Sequence, residues 1–189
     1  MHSPESMNPS FALQNTGWCL MVGLSDMNTG LLMAIARLPV PASAAHTAGP
    51  VGVRVLDGGN RFNAYTVARA ARGRRDILDR ITVSRAFTCH QLLALLESTA
   101  ASPAPFVVLD LLRTFYDESV PAGERKRLLR GCLAQLHRLE QAGGGLVSVH
   151  PPALASPAAV DLLRMLQAAA QSTYFVQPAP PPPEPLKLF

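Results

Sequence analysis

The residues of this chain best suited to chemistry stand just after short apolar runs. The first such place is "GLSDMNTG", Gly23 to Gly30, between the apolar stretches "WCLMVGL" and "GLLMAIARL". A strand, a polar loop with glycine at both ends and then a helix are the parts of a phosphate-binding corner. Glycines let backbone N–H groups cradle phosphate, a lysine reaches the outer phosphates, and a Ser or Thr holds magnesium. Laid on the pattern G-x-x-x-x-G-K-[ST], Gly23 takes the first position and Asn28, Thr29 and Gly30 take the last three, so the lysine is absent. Asp26, inside the loop, adds a negative charge that opposes a triphosphate.

The other run ends are equally short. "LDGGNRF" carries Asp57 and Gly59. "SRAFTCHQ", Ser84 to Gln91, sets Ser84 and Cys89 near His90, but adjacency in sequence does not supply the geometry of a nucleophile and its base, and a structural histidine is the simpler reading. "VVLDLLRTFYD", Val107 to Asp117, places Asp110 at a strand end, where an aspartate either serves a nucleotide's metal or caps the following turn. "VSVHPP" ends in His150 and Pro151. No cysteine or histidine cluster has metal-ligand spacing, so no metal site is expected.

The elements that must position these residues alternate along the chain. "WCLMVGL", "VGVRVLD", "TVSRAF", "PFVVLDLL", "GLVSVH" and "TYFVQ" read as strands. "GLLMAIARL", "AYTVARAARGRRDILDRI", "CHQLLALLEST", "GERKRLLRGCLAQLHRLEQA" and "AAVDLLRMLQAAAQ" read as helices. Nearly continuous apolar strands are covered on both faces, and repeated strand–helix–strand units impose a parallel sheet. The expected fold class is therefore α/β, a three-layer sandwich around a mostly parallel sheet. In such sheets ligands sit beyond the carboxyl ends of the strands, where the segments above lie.

At 189 residues and 48% hydrophobic content the chain suits one domain with tails. Residues 1–16 are polar and broken by Pro4 and Pro9, and residues 178–189 form a proline-rich tail, which leaves 17–177 as the folded part. "LPVPASAAHTAGP", Leu38 to Pro50, reads as a loop. Cys19, Cys89 and Cys132 lie far apart and read as small core residues in a reducing compartment. No apolar run reaches the roughly 20 residues of a membrane span, and the first residues lack a signal-peptide pattern. A cytoplasmic protein with no membrane partner is the expectation.

Taken together, the strand ends resemble the RecA-type recombinase ATPases of the P-loop NTPase fold, most closely the archaeal and eukaryotic strand-exchange proteins and their paralogues. "RAFTCHQLLALLE", Arg85 to Glu97, is similar to that branch's Arg-Ala-Phe-Asn segment and the His-Gln helix after it. "PFVVLDLLRTFYDE" resembles its Walker B strand, with Asp110 at the end of the apolar run. "GERKRLLRGCLAQLHRLEQAGGGLVSVHPP" follows with a Glu-Arg, leucine-rich helix and then a strand, so the likeness spans about Trp18 to Gln177.

The resemblance implies a nucleotide site at Gly23, Thr29, Gly30 and Asp110, and it also marks what that site lacks. The lysine is absent, Gly59 stands where the branch has a water-activating glutamate, and His150 and Pro151 replace the Asn-Gln that couples nucleotide to DNA. These losses remove most of the charge stabilisation that phosphoryl transfer needs. The expected protein has no catalytic residues and no required cofactor. It is a pseudo-ATPase that assists DNA recombination, repair or damage-tolerant synthesis beside an active recombinase or a repair polymerase. The alternative is a nucleotide-binding regulatory relative unconnected with DNA, with ATP bound and not turned over.

Two further segments bear on partners. Arg69, Arg72, Arg74 and Arg75, in "ARAARGRR", form one short basic helical stretch. Such a stretch either contacts the phosphates of single-stranded DNA or sits favourably at the end of a helix dipole. Arg125, Arg127, Arg130 and Arg138 lie mostly off the leucine stripe of their helix and read as a solvated face, with a nucleic-acid surface as the alternative. The terminal "EPLKLF" resembles the bacterial sliding-clamp-binding pentapeptide, with Leu186, Leu188 and Phe189 matching and Pro185 where Gln is preferred. Those apolar residues either dock on a clamp or fold back on the domain. Phe11 resembles the phenylalanine by which members of that branch assemble, although Gln14 stands where the motif has Ala.

Overall fold

The computed structural model describes residues 17–24, 26–37, 52–152 and 156–176. The two terminal segments, with Phe11, Leu186, Leu188 and Phe189, and the loop at 38–50 lie outside the described residues.

Six strands form one parallel sheet: β1 (Trp18–Gly23), β2 (Val53–Asp57), β3 (Ile81–Arg85), β4 (Phe106–Leu109), β5 (Gly145–Val149) and β6 (Ser172–Val176), in the order β3-β2-β4-β5-β1-β6. The helices are α1 (Asp26–Ile35), α2 (Ala64–Ala70), α3 (Arg75–Leu78), α4 (Cys89–Ser98), α5 (Ala122–Glu140) and α6 (Pro157–Ala169), with a 3-10 turn at Leu111–Phe115. The α/β three-layer sandwich is the observed architecture.

Strand alternation explains the continuous apolar runs. Trp18, Leu20 and Val22 of β1 enter one core with Phe106 and Val108 of β4, whereas Cys19 and Met21 enter the other with Val107 and Leu109. Both faces of the sheet are buried at the central strands β1, β4 and β5, so their successive residues are nearly all apolar, whereas the edge strands β3 and β6 are partly exposed. The connections running toward the β3 edge place α1, α2 and α3 on one face. Those running toward the β6 edge place α4, the 3-10 turn, α5 and α6 on the other, as a constant crossover hand requires.

Three expectations need correction. The segment Gly23 to Gly30 is not a loop: α1 starts at Asp26, soon after β1 ends at Gly23, so Asn28, Thr29 and Gly30 are helical. The stretch Ala64 to Ile81 is not one helix. Arg72 and Gly73 both adopt left-handed backbone, with φ of 51° and 81°, and this kink separates α2 from α3. On α5, Arg127 and Arg130 are exposed as expected, but Arg125 is buried and donates to the Phe115 carbonyl at 3.1 Å. Arg138 donates to the Leu96 and Thr99 carbonyls at 3.0 and 2.8 Å, closing the C-terminal end of α4. Both arginines tie elements together, satisfying carbonyls that burial would otherwise orphan.

Candidate functional site

Two buried aspartates lie at the carboxyl ends of adjacent strands. Asp57 ends β2 and Asp110 follows β4; both are fully buried. An isolated buried carboxylate is costly, so each must be paired and hydrogen-bonded. Asp57 Oδ1 accepts the Arg61 backbone N–H at 2.8 Å, and its Oδ2 accepts the Phe62 N–H and Arg85 Nε–H, both at 3.0 Å. This shapes the turn after β2 and pins β3's last residue.

Asp110 is held by three hydrogen bonds. Its Oδ2 accepts Arg61 Nε–H at 3.2 Å, its Oδ1 accepts the His150 N–H at 3.2 Å, and its own N–H donates to Ser148 Oγ at 2.9 Å. The His150 ring Nδ1 stands 3.0 Å from the same Oδ2, out of line for a hydrogen bond, so that contact is one of proximity. Asp110 also has φ of 50°, a left-handed conformation uncommon outside glycine. The 3-10 turn begins there without a side-chain cap from Asp110, so the capping alternative read from the sequence does not apply.

Gly59 is explained by this arrangement. A Cβ built on it would lie 2.4 Å from Asp110 Cβ and 2.8 Å from Asp110 Oδ2. The carboxylate and a side chain at position 59 compete for the same space, and glycine is the residue that yields it.

A polar chain continues toward α1. Ser148 Oγ accepts from the Asp110 N–H and donates its proton to Asn28 Oδ1 at 2.9 Å, leaving buried Asn28 Nδ2 without a partner among the described residues. On the other side, Tyr116 Oη donates to the His150 carbonyl at 3.0 Å; burial first, then the Asp110 charge, pushes its pKa well above the usual phenol range. Tyr116 is therefore a fixed neutral donor.

The four residues expected at a nucleotide site are placed differently from one another. Gly23 is buried at the end of β1, where a Cβ would meet Val176 Cβ at 3.0 Å and Met27 Sδ at 3.1 Å. Thr29 is exposed and lines an open cleft of about 530 Å³ with Asn28, Arg61, Asn63, Tyr65 and Thr66. Gly30 is exposed, with nothing within 4 Å of a built Cβ. Asp110 lies buried behind Arg61. With α1 starting at Asp26, the described residues of the corner do not form the run of non-helical N–H groups that wraps a triphosphate.

The basic stretch is spread around a bend. Arg69 is in the last turn of α2, Arg72 is in the kink, Arg74 precedes α3 and Arg75 begins it, and all four are exposed. Arg74 donates to Asp76 at 3.0 Å, and Asp76 is also paired with Arg80. Arg69, Arg72 and Arg75 make no ion pair among the described residues.

Cys89, His90 and Glu124 do line up, with Sγ 3.7 Å from Nδ1 and Nε2 3.6 Å from the carboxylate. The thiol is nevertheless buried and burial pushes its pKa up, so it is a poor nucleophile. Among the described residues no group of His, Cys, Asp and Glu is arranged to hold a metal, and no helix is long and apolar enough to cross a membrane.

Arg61, Arg85 and Ser148 are the site residues that sequence reasoning missed. Arg61 is in "LDGGNRF" and Arg85 in "SRAF", but nothing in either segment tells that these two arginines reach two aspartates, 49 and 28 residues away respectively. Chemically, the aspartates orient the arginines: each Nε edge is anchored inward while the side chain stays about one-third exposed (36% for both). No protein-family model matches this chain, and no curated protein matches it.

Proposed function

We propose that this chain is a catalytically degenerate, RecA-like accessory protein of DNA recombination, repair or damage-tolerant synthesis, working by contacts and not by ATP turnover. The observation that carries the pseudo-ATPase reading is the occupied carboxylate of Asp110. In a working ATPase that carboxylate serves the magnesium shell, and a base nearby orients water. Here its oxygens are engaged by Arg61 and the His150 backbone, and the space for a base at position 59 is filled. The absent lysine and the early start of α1 point the same way.

The DNA-maintenance part of the reading rests on the sequence resemblance. Its partners are an active recombinase or a repair polymerase, a sliding clamp through Leu186, Leu188 and Phe189, and single-stranded DNA on Arg69, Arg72, Arg74 and Arg75. The open cleft beside Thr29 is what favours the second reading, a nucleotide-binding regulatory protein unconnected with DNA.

The test pairs an affinity pull-down from cell extract with an ATP-binding titration and a magnesium-dependent turnover assay. DNA-maintenance partners with no turnover are the expected result. Turnover that disappears in Asp110→Ala overturns the pseudo-ATPase reading, and saturable ATP binding without such partners selects the second reading.

A further inference from the structure

The cleft between α1 and the turn into α2 has an unusual composition. Its polar lining includes Asn28, Thr29, Asn60, Arg61, Asn63 and Thr66, with no carboxylate among the described lining residues. Arg61 is anchored through Nε to Asp110, and its two terminal amino groups make no hydrogen bond to the described residues. A guanidinium held by one edge presents the other in a fixed orientation, which lowers the ordering cost of binding a planar or tetrahedral oxyanion.

A second, independent feature is the floor. Asn28 is only 3% exposed and lines the cleft. Ser148 occupies its Oδ1, so the group without a partner among the described residues is the Nδ2 donor. An unmet buried donor is costly, and an acceptor on a ligand relieves that cost. The hydroxyl of Thr29 and the exposed Tyr65 ring complete the surroundings. The volume of about 530 Å³ suits a metabolite-sized molecule better than a bare ion.

We propose that this cleft binds a small oxyanion-bearing ligand, a phosphate monoester or a carboxylate, with the oxyanion on Arg61, Asn28 Nδ2 and Thr29 and the body of the ligand against Tyr65. Side chains carry the site, so the lysine and backbone loop of a triphosphate site are not needed. The assignment does not depend on the DNA-maintenance reading.

The experiment is a titration of the full chain with phenyl phosphate, benzoate and inorganic phosphate at constant ionic strength. It is followed by calorimetry and by the side-chain amide resonances of Asn28. The expected result is saturable binding of phenyl phosphate or benzoate, tighter than inorganic phosphate, with the Asn28 amide pair shifting. The better of the two aromatic probes tells a phosphate from a carboxylate ligand. Arg61→Gln and Thr29→Val should each weaken binding by about tenfold, the effect of removing one good charged or polar interaction, while Arg164→Gln, exposed on α6 and outside the cleft, should not. Thr29 is exposed, so its variant remains informative if Arg61→Gln fails to fold. No saturation at roughly 10 mM probe, above the range of specific weak binding, overturns the proposal. So does equal weakening by Arg164→Gln, or an unshifted Asn28 amide.

Discussion

Gly59 and Asp110 share one space: a methyl group on the glycine would sit 2.4 Å from the aspartate's Cβ. The contact ties the turn after β2 to the residue after β4 and leaves room for one side chain. That chain is the carboxylate, drawn inward by Arg61 and the His150 N–H.

Gly59→Ala should therefore lower stability by about 1–3 kcal/mol through overpacking. Gly59→Glu should be worse, since it also buries a second carboxylate beside the first. Urea unfolding checks the order. An unaffected midpoint for Gly59→Glu would mean that Asp110 can leave its place.

Arg61→Gln leaves Asp110 buried with its backbone donor and without its arginine. Arg61 is partly exposed, so the cost should lie below that of breaking a fully buried pair, at about 1–3 kcal/mol. Asp110→Asn combined with Arg61→Gln should cost less than the sum of the two single changes. The double-mutant cycle in denaturant measures that coupling.

Ser148→Ala removes the acceptor for the Asp110 N–H and the donor to Asn28 Oδ1 in one step. Two buried groups are left unmet, and a destabilisation of about 2–4 kcal/mol follows from the usual cost of each with some relaxation. Thermal melts of the variant against the parent chain test it.

The three cysteines are free and buried, and burial pushes all their pKa values up, that of Cys132 to about 12. The native protein should leave an aromatic disulfide reagent unreacted at neutral pH and consume it at three thiols per chain after unfolding. A thiol whose folded pKa is raised stabilises the fold fully below its unfolded value of 9.0, and that contribution is lost as pH rises toward 12. Stability should thus decline through that alkaline window, and Cys132→Ala should flatten the decline while lowering the plateau.

If Arg69, Arg72 and Arg75 contact single-stranded DNA, reversing all three should make the slope of log affinity against log salt shallower by about 1 for each phosphate they neutralise. Arg74→Glu alone should matter less, because Asp76 already shares its charge. Fluorescence anisotropy of a labelled oligonucleotide over a salt series reads both. An unchanged slope in the triple variant removes this surface.

Much of the fold was legible in the residues themselves. Runs such as "WCLMVG" and "FVVL" are apolar at every position because both sides of the sheet are covered, and the amphipathic stripe of α5 announces its packed face. That the segment Gly23 to Gly30 holds no lysine was also plain, because a side chain is either present in the chain or absent from it. What tertiary structure alone decided was how charged groups far apart in sequence meet. Whether Arg125 faces water or the Phe115 carbonyl, and whether Arg61 and Arg85 are surface cations or clamps on Asp110 and Asp57, depends on strand order and on the turns beyond each strand. Burial converts those encounters into requirements, since a carboxylate shut away from water must find its cation and its N–H donors. Local sequence carries the periodicity of an element; only the assembled sheet brings Asp57, Asp110, Arg61, Arg85 and Ser148 to one end.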